Sequence, residues 1–242
     1  MLIDQYNQAI DELIAKVRHS QRDAILSTAE LITQSVLGGG AVHIYDTGHI
    51  IDSELIERGG GLMLLKPLKY QLNVQNPVRE RSDTRTDRNL EGLAEYALKV
   101  SKVMPGDVLI IGSVSGKSLS VIDLACEAKK IKVSLVALTS VSYSSQVQSE
   151  HSCGKRLFEL VDIVLDNCAP AGEAIMDVEG LGAKLGAASG LSATLIMWSV
   201  SVAVVEKLLS HGVQPSVFKS HNYPGGAEYN QMLRKRYAEK GY

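Results

Sequence analysis

The sequence predicts an α/β protein built on a doubly wound, five-stranded parallel sheet. Three observations carry that expectation. Five short apolar runs recur along the chain, segments of helical period separate them, and polar loops rich in Gly, Ser and Thr follow three of the runs at equivalent ends. Parallel strands joined through helices take right-handed crossovers. In such a sheet the ligand lies at the carboxyl ends of the strands, near the switch in strand order.

The elements follow in order. Leu2, Ile3, Tyr6, Ile10, Leu13, Ile14 and Val17 recur at three- and four-residue steps with charges between them, which predicts a first helix. A second runs through Ile25, Ala29, Ile32 and Val36 and stops at Gly38-Gly39-Gly40. Ala41 to Tyr45 reads as a strand, Ile50 to Arg58 as a helix and Gly61 to Leu65 as a second strand. Leu90 to Val103 is helical, and Pro105-Gly106 turns the chain into the strand Val108 to Ile111. A helix over Leu119 to Lys130, a strand over Val133 to Leu138 and a short helix near Ser144 to Ser149 come next. Ile163 to Leu165 makes the fifth strand, and a final long helix covers Gly190 to Ser210. The expected organisation is one domain over 1–242, with helices over 1–37, the α/β core over 41–212 and a tail over 213–242. The run from Arg79 to Arg88 alternates in charge sign and reads as a solvated loop.

Composition narrows the function. A chain of 242 residues with a formal net charge of −2 has no electrostatic drive toward nucleic acid. Cys126, Cys153 and Cys168 show no C-x-x-C spacing, and an odd count suits a reducing compartment. Met1-Leu-Ile-Asp4 lacks the basic start of a signal peptide, so the expected location is cytoplasmic. Leu185 to Val205 carries no charge and is long enough to span a bilayer. Gly186, Ser189, Gly190, Ser192, Thr194, Ser199 and Ser201 interrupt it, and its flanks lack positive-charge asymmetry. It therefore reads as a core or interface helix, with no membrane partner.

The chemistry concentrates in Gly112-Ser113-Val114-Ser115-Gly116-Lys117-Ser118. Strand, loop and helix place backbone N–H groups and a helix N-terminus beneath an anion, and Ser113, Ser115 and Ser118 add hydroxyl donors. A Walker A loop requires glycine at the position held by Ile111, so a phosphorylated small molecule fits better than a nucleotide. Asp46-Thr47-Gly48-His49 and Thr139-Ser140 through Ser144-Ser145 are the other two loops expected at the site. Taken singly, Thr139 and Ser144 also suit helix caps. No His or Cys group has zinc-ligand spacing, and neither a metal nor a cofactor is expected. His43 alternates within its strand, while His19, His151 and His211 read as surface residues.

These motifs resemble the SIS (sugar isomerase) domain: Thr47-Gly48-His49, Glu54, Arg58 and Gly59-Gly60, the serine loop, and Leu138-Thr139-Ser140. The resemblance is closer to a bacterial uncharacterised SIS branch related to phosphoheptose isomerases. It extends through Asp166-Asn167-Cys168 to the tail Ser220-His221-Asn222, Gly225-Gly226 and Asn230. It implies a flavodoxin-like fold, a sugar phosphate held by Ser113, Ser115, Ser118 and Thr139, and at least a homodimer, with tetramers also known among such proteins. It further implies a glutamate that moves a proton between two sugar carbons, Glu54 as the best match and Glu57 as the reserve. Two departures stand out. Ile50 follows Gly48-His49 where relatives commonly carry serine, and the glutamate lies closer to the glycine than in phosphoheptose isomerases. Aldose–ketose isomerisation runs through an enediol that one carboxylate can serve, and His221 or His49 could open a cyclic substrate. Alternatively, Glu54 or Glu57 pairs with Arg58 or caps the first turn of its helix. The resemblance also accommodates a non-catalytic phosphosugar sensor or an etherase-type lyase acting on an amino-sugar phosphate.

Overall fold

The apolar runs form a parallel sheet in the computed structural model, which describes residues 1–47, 52–79, 82 and 90–242. Its strands are β1 (Val42–Asp46), β2 (Leu65–Pro67), β3 (Val108–Gly112), β4 (Ser134–Thr139) and β5 (Ile163–Asp166), in the order β2-β1-β3-β4-β5. All neighbours are parallel, and β1 aligns with β3 from Val42↔Val108 to Asp46↔Gly112. The chain leaves β1 toward β2 and returns to β3 on the other side. The order therefore switches between β1 and β3, and Asp46 and Gly112 mark the carboxyl rim where a crevice opens.

Alternation of side chains along each strand divides the core into two layers. On one face Ile44, Ile110 and Val136 pack with Ile10, Val17, Ile32, Ile196 and Val204 from α1 (Leu2–Ser20), α2 (Arg22–Leu37) and a long helix, Ser189–Ser210. On the other, Leu109, Ile111 and Leu135 meet Leu98, Ile122 and Leu124 from two helices, Leu93–Val100 and Leu119–Lys130. In chain order the remaining helices are α3 (Asp52–Leu55), α4 (Leu93–Val100), α5 (Leu119–Lys130), α6 (Val141–Ser144), α7 (Ser189–Ser210) and α8 (Gly226–Lys240), and an antiparallel hairpin pairs β6 (Ala174–Met176) with β7 (Leu185–Ala187). α7 has the length and apolar composition to cross a membrane, and half of its most apolar window is buried inside the fold. Its Ser192 and Ser201 hydroxyls are buried and donate to carbonyls one turn back in the helix, so the polar atoms in its buried face are satisfied.

Several boundaries move. The expected strand over Gly61 to Leu65 is displaced: Leu62 to Leu65 are buried, but the strand that pairs with β1 is Leu65–Pro67. The earlier residues pair instead with the end of the chain, through Met63 N–H to the Ser216 carbonyl at 2.9 Å and an antiparallel bridge between Leu62 and Val217. The helix expected to Arg58 ends at Leu55, because Glu57 takes φ +56°. The short helix after β4 starts at Val141 rather than Ser144, with the Ser140 hydroxyl accepting the Tyr143 N–H at 3.1 Å. α7 is not the last helix, since α8 occupies most of the expected tail. His43 is buried and lies 2.9 Å from Asp107, whose carboxylate also receives the Ala41 and Met104 N–H groups. This brace sits at the amino end of the sheet, opposite the crevice. The charged run Arg79 to Arg88 falls almost wholly outside the described residues.

Candidate functional site

The rim is built around one glycine contact. A Cβ on Gly112 would stand 3.1 Å from Asp46 Oδ1, so glycine lets the Asp46 side chain lie against the end of β3. Asp46 Oδ2 accepts the Asp52 N–H at 3.4 Å, linking β1 to the start of α3. Thr47 is exposed, and both its N–H (3.2 Å) and its hydroxyl (3.3 Å) donate to the Gly112 carbonyl. Gly48 and His49 lie outside the described residues.

The serine loop is a tight turn. Ser113 donates its N–H to Leu138 at 3.0 Å, and its hydroxyl accepts the Gly116 N–H at 3.3 Å. Gly116 holds φ +56°, a conformation costly for other residues, and is surrounded: a Cβ there would meet Leu157, Ser144 Oγ and Thr139 Oγ1 at 3.1–3.2 Å. Ser115 and Ser118 are half-buried, and the Ser118 hydroxyl makes no capping bond to α5. The start of α5 already faces an acid. Lys117 Nζ binds Glu150 at 2.6 Å, and that bond, aided by the Leu119 amide, holds the Glu150 carboxyl below its ordinary range.

Behind the loop the expected hydroxyls divide into two groups. Thr139 and Ser140 are fully buried and engaged, Thr139 Oγ1 with the Val114 carbonyl at 3.0 Å and Ser140 Oγ with Ala169 at 2.6 Å. They brace the wall between β4 and β5. Ser144 Oγ, also buried, has no hydrogen-bond partner among the described residues, nor has Asn167 Nδ2. Each such group carries a desolvation cost of about 1–3 kcal/mol until something bonds to it. Asn167 follows β5; the sequence places it within the family resemblance but assigns it no site role. Its place directly after a strand, like that of the three expected loops, was the available signal.

Of the expected acid–base residues, Glu54 lies in α3, Glu57 just after it and His221 in the tail. Glu54 pairs with Arg58 at 3.2 Å and keeps 45 % of its side chain exposed. Glu57 binds Arg234 of α8 at 2.7 Å, and that hydrogen bond, assisted by the charges of Arg234, Lys66 and His221, holds its carboxyl below the ordinary value. His221 is exposed. The tail reaches this edge through the Gly60 N–H bond to Phe218 at 2.7 Å and the Phe218 N–H bond to Gly61 at 2.9 Å. Between them opens a cleft of about 480 Å³ whose lining includes Asp52, Glu57, Lys66, Lys69 and Phe218. Burial lowers the Lys66 pKa, with the nearby Glu57 charge working against the shift, and its ammonium lies 4.1 Å from the Tyr237 ring centroid. The serine loop does not line this cleft. Chain connectivity relates the two, since the segment after β1 runs from the loop's neighbour Thr47 to α3.

A model of the SIS domain matches residues 5–140, more than half of the chain. This chain belongs to the SIS-domain family. A UPF0309 protein of Shouchella clausii is 33 % identical over 240 residues, covering 97 % of this chain and 96 % of that one. A UPF0309 protein of Halalkalibacterium halodurans is 31 % identical over 237 residues, covering 97 % of both. Among solved structures, a phosphoheptose isomerase from Francisella tularensis shares this SIS fold with a TM-score of 0.53 and 15 % identity, over 84 % of this chain and 96 % of that one. The Vibrio vulnificus NanR protein, complexed with ManNAc-6P, aligns with a TM-score of 0.50 and 17 % identity, over 99 % of this chain and 69 % of that one.

Proposed function

We propose that this SIS domain binds a phosphorylated sugar with its phosphate on the serine loop and the α5 N-terminus, and that it interconverts aldose and ketose through an enediol. The observation that carries the binding half is the loop itself. Ser113, Ser115 and Ser118 stand at the switch point of the sheet, beside a buried Ser144 hydroxyl with no partner among the described residues. A phosphate there would take the anionic position that Glu150 approaches, with Lys117 as counter-ion. The Francisella isomerase and the ManNAc-6P complex of NanR support a sugar phosphate as the ligand class.

For the chemistry, Glu54 is the base we favour. It needs only to turn from Arg58, whereas Glu57 is held ionised by Arg234 and is the weaker proton acceptor. His221, exposed on the tail beside this edge, is the group proposed to open a cyclic substrate. One observation favours a second reading, a phosphosugar sensor: both candidate carboxylates pair with arginines. A thermal-shift screen of pentose, hexose and heptose phosphates, followed by NMR of the best hit in deuterated water, separates the two. Isomerisation predicts deuterium uptake beside the carbonyl, reduced about 10²–10⁴-fold by Glu54→Gln with binding retained. Binding without uptake or turnover establishes the sensor instead, and no stabilisation by any sugar phosphate ends both readings.

A homodimer is part of the proposal. Leu195 and Trp198 stand beside the 67 % exposed Val202 on α7, flanked by Arg18, Arg22 and Glu206. A stable monomer by light scattering at micromolar concentration would contradict it.

A further inference from the structure

We infer that Cys126, His151 and Cys153 form a binding site for a thiophilic divalent cation, zinc foremost, that clamps the loop behind the serine loop onto α5. One ligand atom from each residue lies within 4.8 Å of the other two. Around a tetrahedral zinc ion, bonds of about 2.3 Å to sulfur and 2.0–2.1 Å to nitrogen place ligand atoms roughly 3.5–3.8 Å apart. The trio therefore needs a contraction of about 1.3 Å at most. Two thiolates and an imidazole select zinc over magnesium or calcium, which take oxygen ligands.

The surroundings are those of a site that could hold an ion. His151 Nε2 stands 3.8 Å from Asp123 Oδ1, and Asp123 is itself fixed by the Gly92 and Ala94 N–H groups at 2.9 Å each. At 3.8 Å this is an electrostatic contact and not a hydrogen bond, and it favours a proton on the ring nitrogen that faces the carboxylate. That leaves Nδ1, which now accepts the Cys153 N–H at 3.0 Å, to bind the ion. Ser152 anchors the same turn on Glu91 through its N–H (2.7 Å) and its hydroxyl (2.6 Å). Glu91 Oε1 stands 4.0 Å from His151 Nδ1, within reach of the fourth position. His151 is nearly enclosed, its side chain only 10 % exposed, whereas Cys153 is exposed and offers the path of entry. Contrary to the sequence expectation, His151 is not a surface residue.

The consequence reaches the proposed phosphate site through the backbone. The Glu150 N–H donates to the Lys117 carbonyl and the Leu157 N–H to the Gly116 carbonyl, both at 2.9 Å. An ion joining Cys126 in α5 to residues 151 and 153 would pin the stretch of chain between those two bonds. On binding, each thiol gives up its proton to solvent and two thiolates neutralise the dication.

The test uses untagged, fully reduced protein and the metals alone. Elemental analysis after zinc loading and gel filtration should give about one zinc per chain. Cobalt(II) titration should give the visible bands of a tetrahedral ion with thiolate-to-cobalt charge transfer. The Cys126→Ser/Cys153→Ser variant and His151→Ala should lose both signals, and zinc should raise the melting temperature of the parent but not of these variants. Should the variants fail to fold, protection of two thiols from alkylation by zinc in the parent carries the test. No zinc retention, equal retention in the variants, or a Cys126–Cys153 disulfide that forms in place of metal binding would overturn the proposal.

Discussion

The two sides of the crevice are built in different ways. On the β3–α5–β4 side, every element follows from its own stretch of sequence. Val108 to Ile111 are fully buried, α5 lays one face on Leu109 and Ile111, and the serine loop between strand and helix is closed by its hydrogen bonds. On the α3–β2 side, short elements are held by the far end of the chain. Gly60, Gly61 and Met63 bond to Phe218 and Ser216, and Glu57 reaches Arg234. On the function proposed above, the first side is the anion cradle, already closed by its own hydrogen bonds. The second carries the proposed acid–base groups, and of these Glu57 is held by the tail through Arg234, where adjustability in a binding protein is least costly.

The largest expected effects break the sides separately. Ile110→Ala empties the central core and should lower global stability by about 2–5 kcal/mol, read from the denaturant midpoint with an unchanged slope. Gly226→Ala puts a Cβ 2.1 Å from the Ser220 carbonyl oxygen, a contact that has to move backbone. It should raise hydrogen exchange across residues 216–242 and 57–63 while exchange in β3 and β4 stays slow. If Gly226→Ala instead unfolded the whole chain in one step, the tail would belong to the core and the contrast would fail.

A smaller effect sharpens the cradle. Ser115→Ala should cost about 1.5–3 kcal/mol of sugar-phosphate affinity by calorimetry with the melting temperature nearly unchanged. Ser113→Ala should weaken binding and also stability, because its hydroxyl accepts the Gly116 N–H. Equal binding by parent and Ser115→Ala would remove that hydroxyl from the phosphate site.

The smallest concerns pH on the tail side. The Glu57 carboxyl is lowered from 4.5 in the folded chain, chiefly by its hydrogen bond to Arg234. Its contribution to tail docking is therefore present above about pH 4.5 and is lost as the pH falls through the lowered value. The pair is exposed, so about 1 kcal/mol or less is at stake, and less at high salt. Arg234→Met should abolish that acid dependence in exchange of the tail, and an unchanged profile would assign it to another group.

The same contrast explains what could be read from the sequence. β3, α5, β4 and β5 were legible because their apolar runs and helical period are local signals, and the Gly-Ser loop lies where strand meets helix. β2 was misplaced because Leu62 to Leu65 show burial but not partner, and Leu62 and Met63 pair with Val217 and Ser216. α8 was missed because its apolar positions are sparse, although Ala, Glu, Gln, Met, Leu, Arg and Lys after Gly225 are strong helix formers. Thr139 was legible as a strand-end hydroxyl, but its engagement with the Val114 carbonyl is tertiary and has no sequence signature. Cys126 meets His151 and Cys153 only because the loop after α6 folds back on α5.

In the proposed function, phosphate binds on the β3–α5–β4 side. Backbone amide NMR during titration with inorganic phosphate, then with the best sugar phosphate, tests it most directly. Phosphate on the serine loop gives saturable shifts concentrated at residues 113–119, with the sugar phosphate adding shifts near 52–58. Shifts confined to the cleft around Lys66 and Lys69, with the serine loop silent, would contradict it.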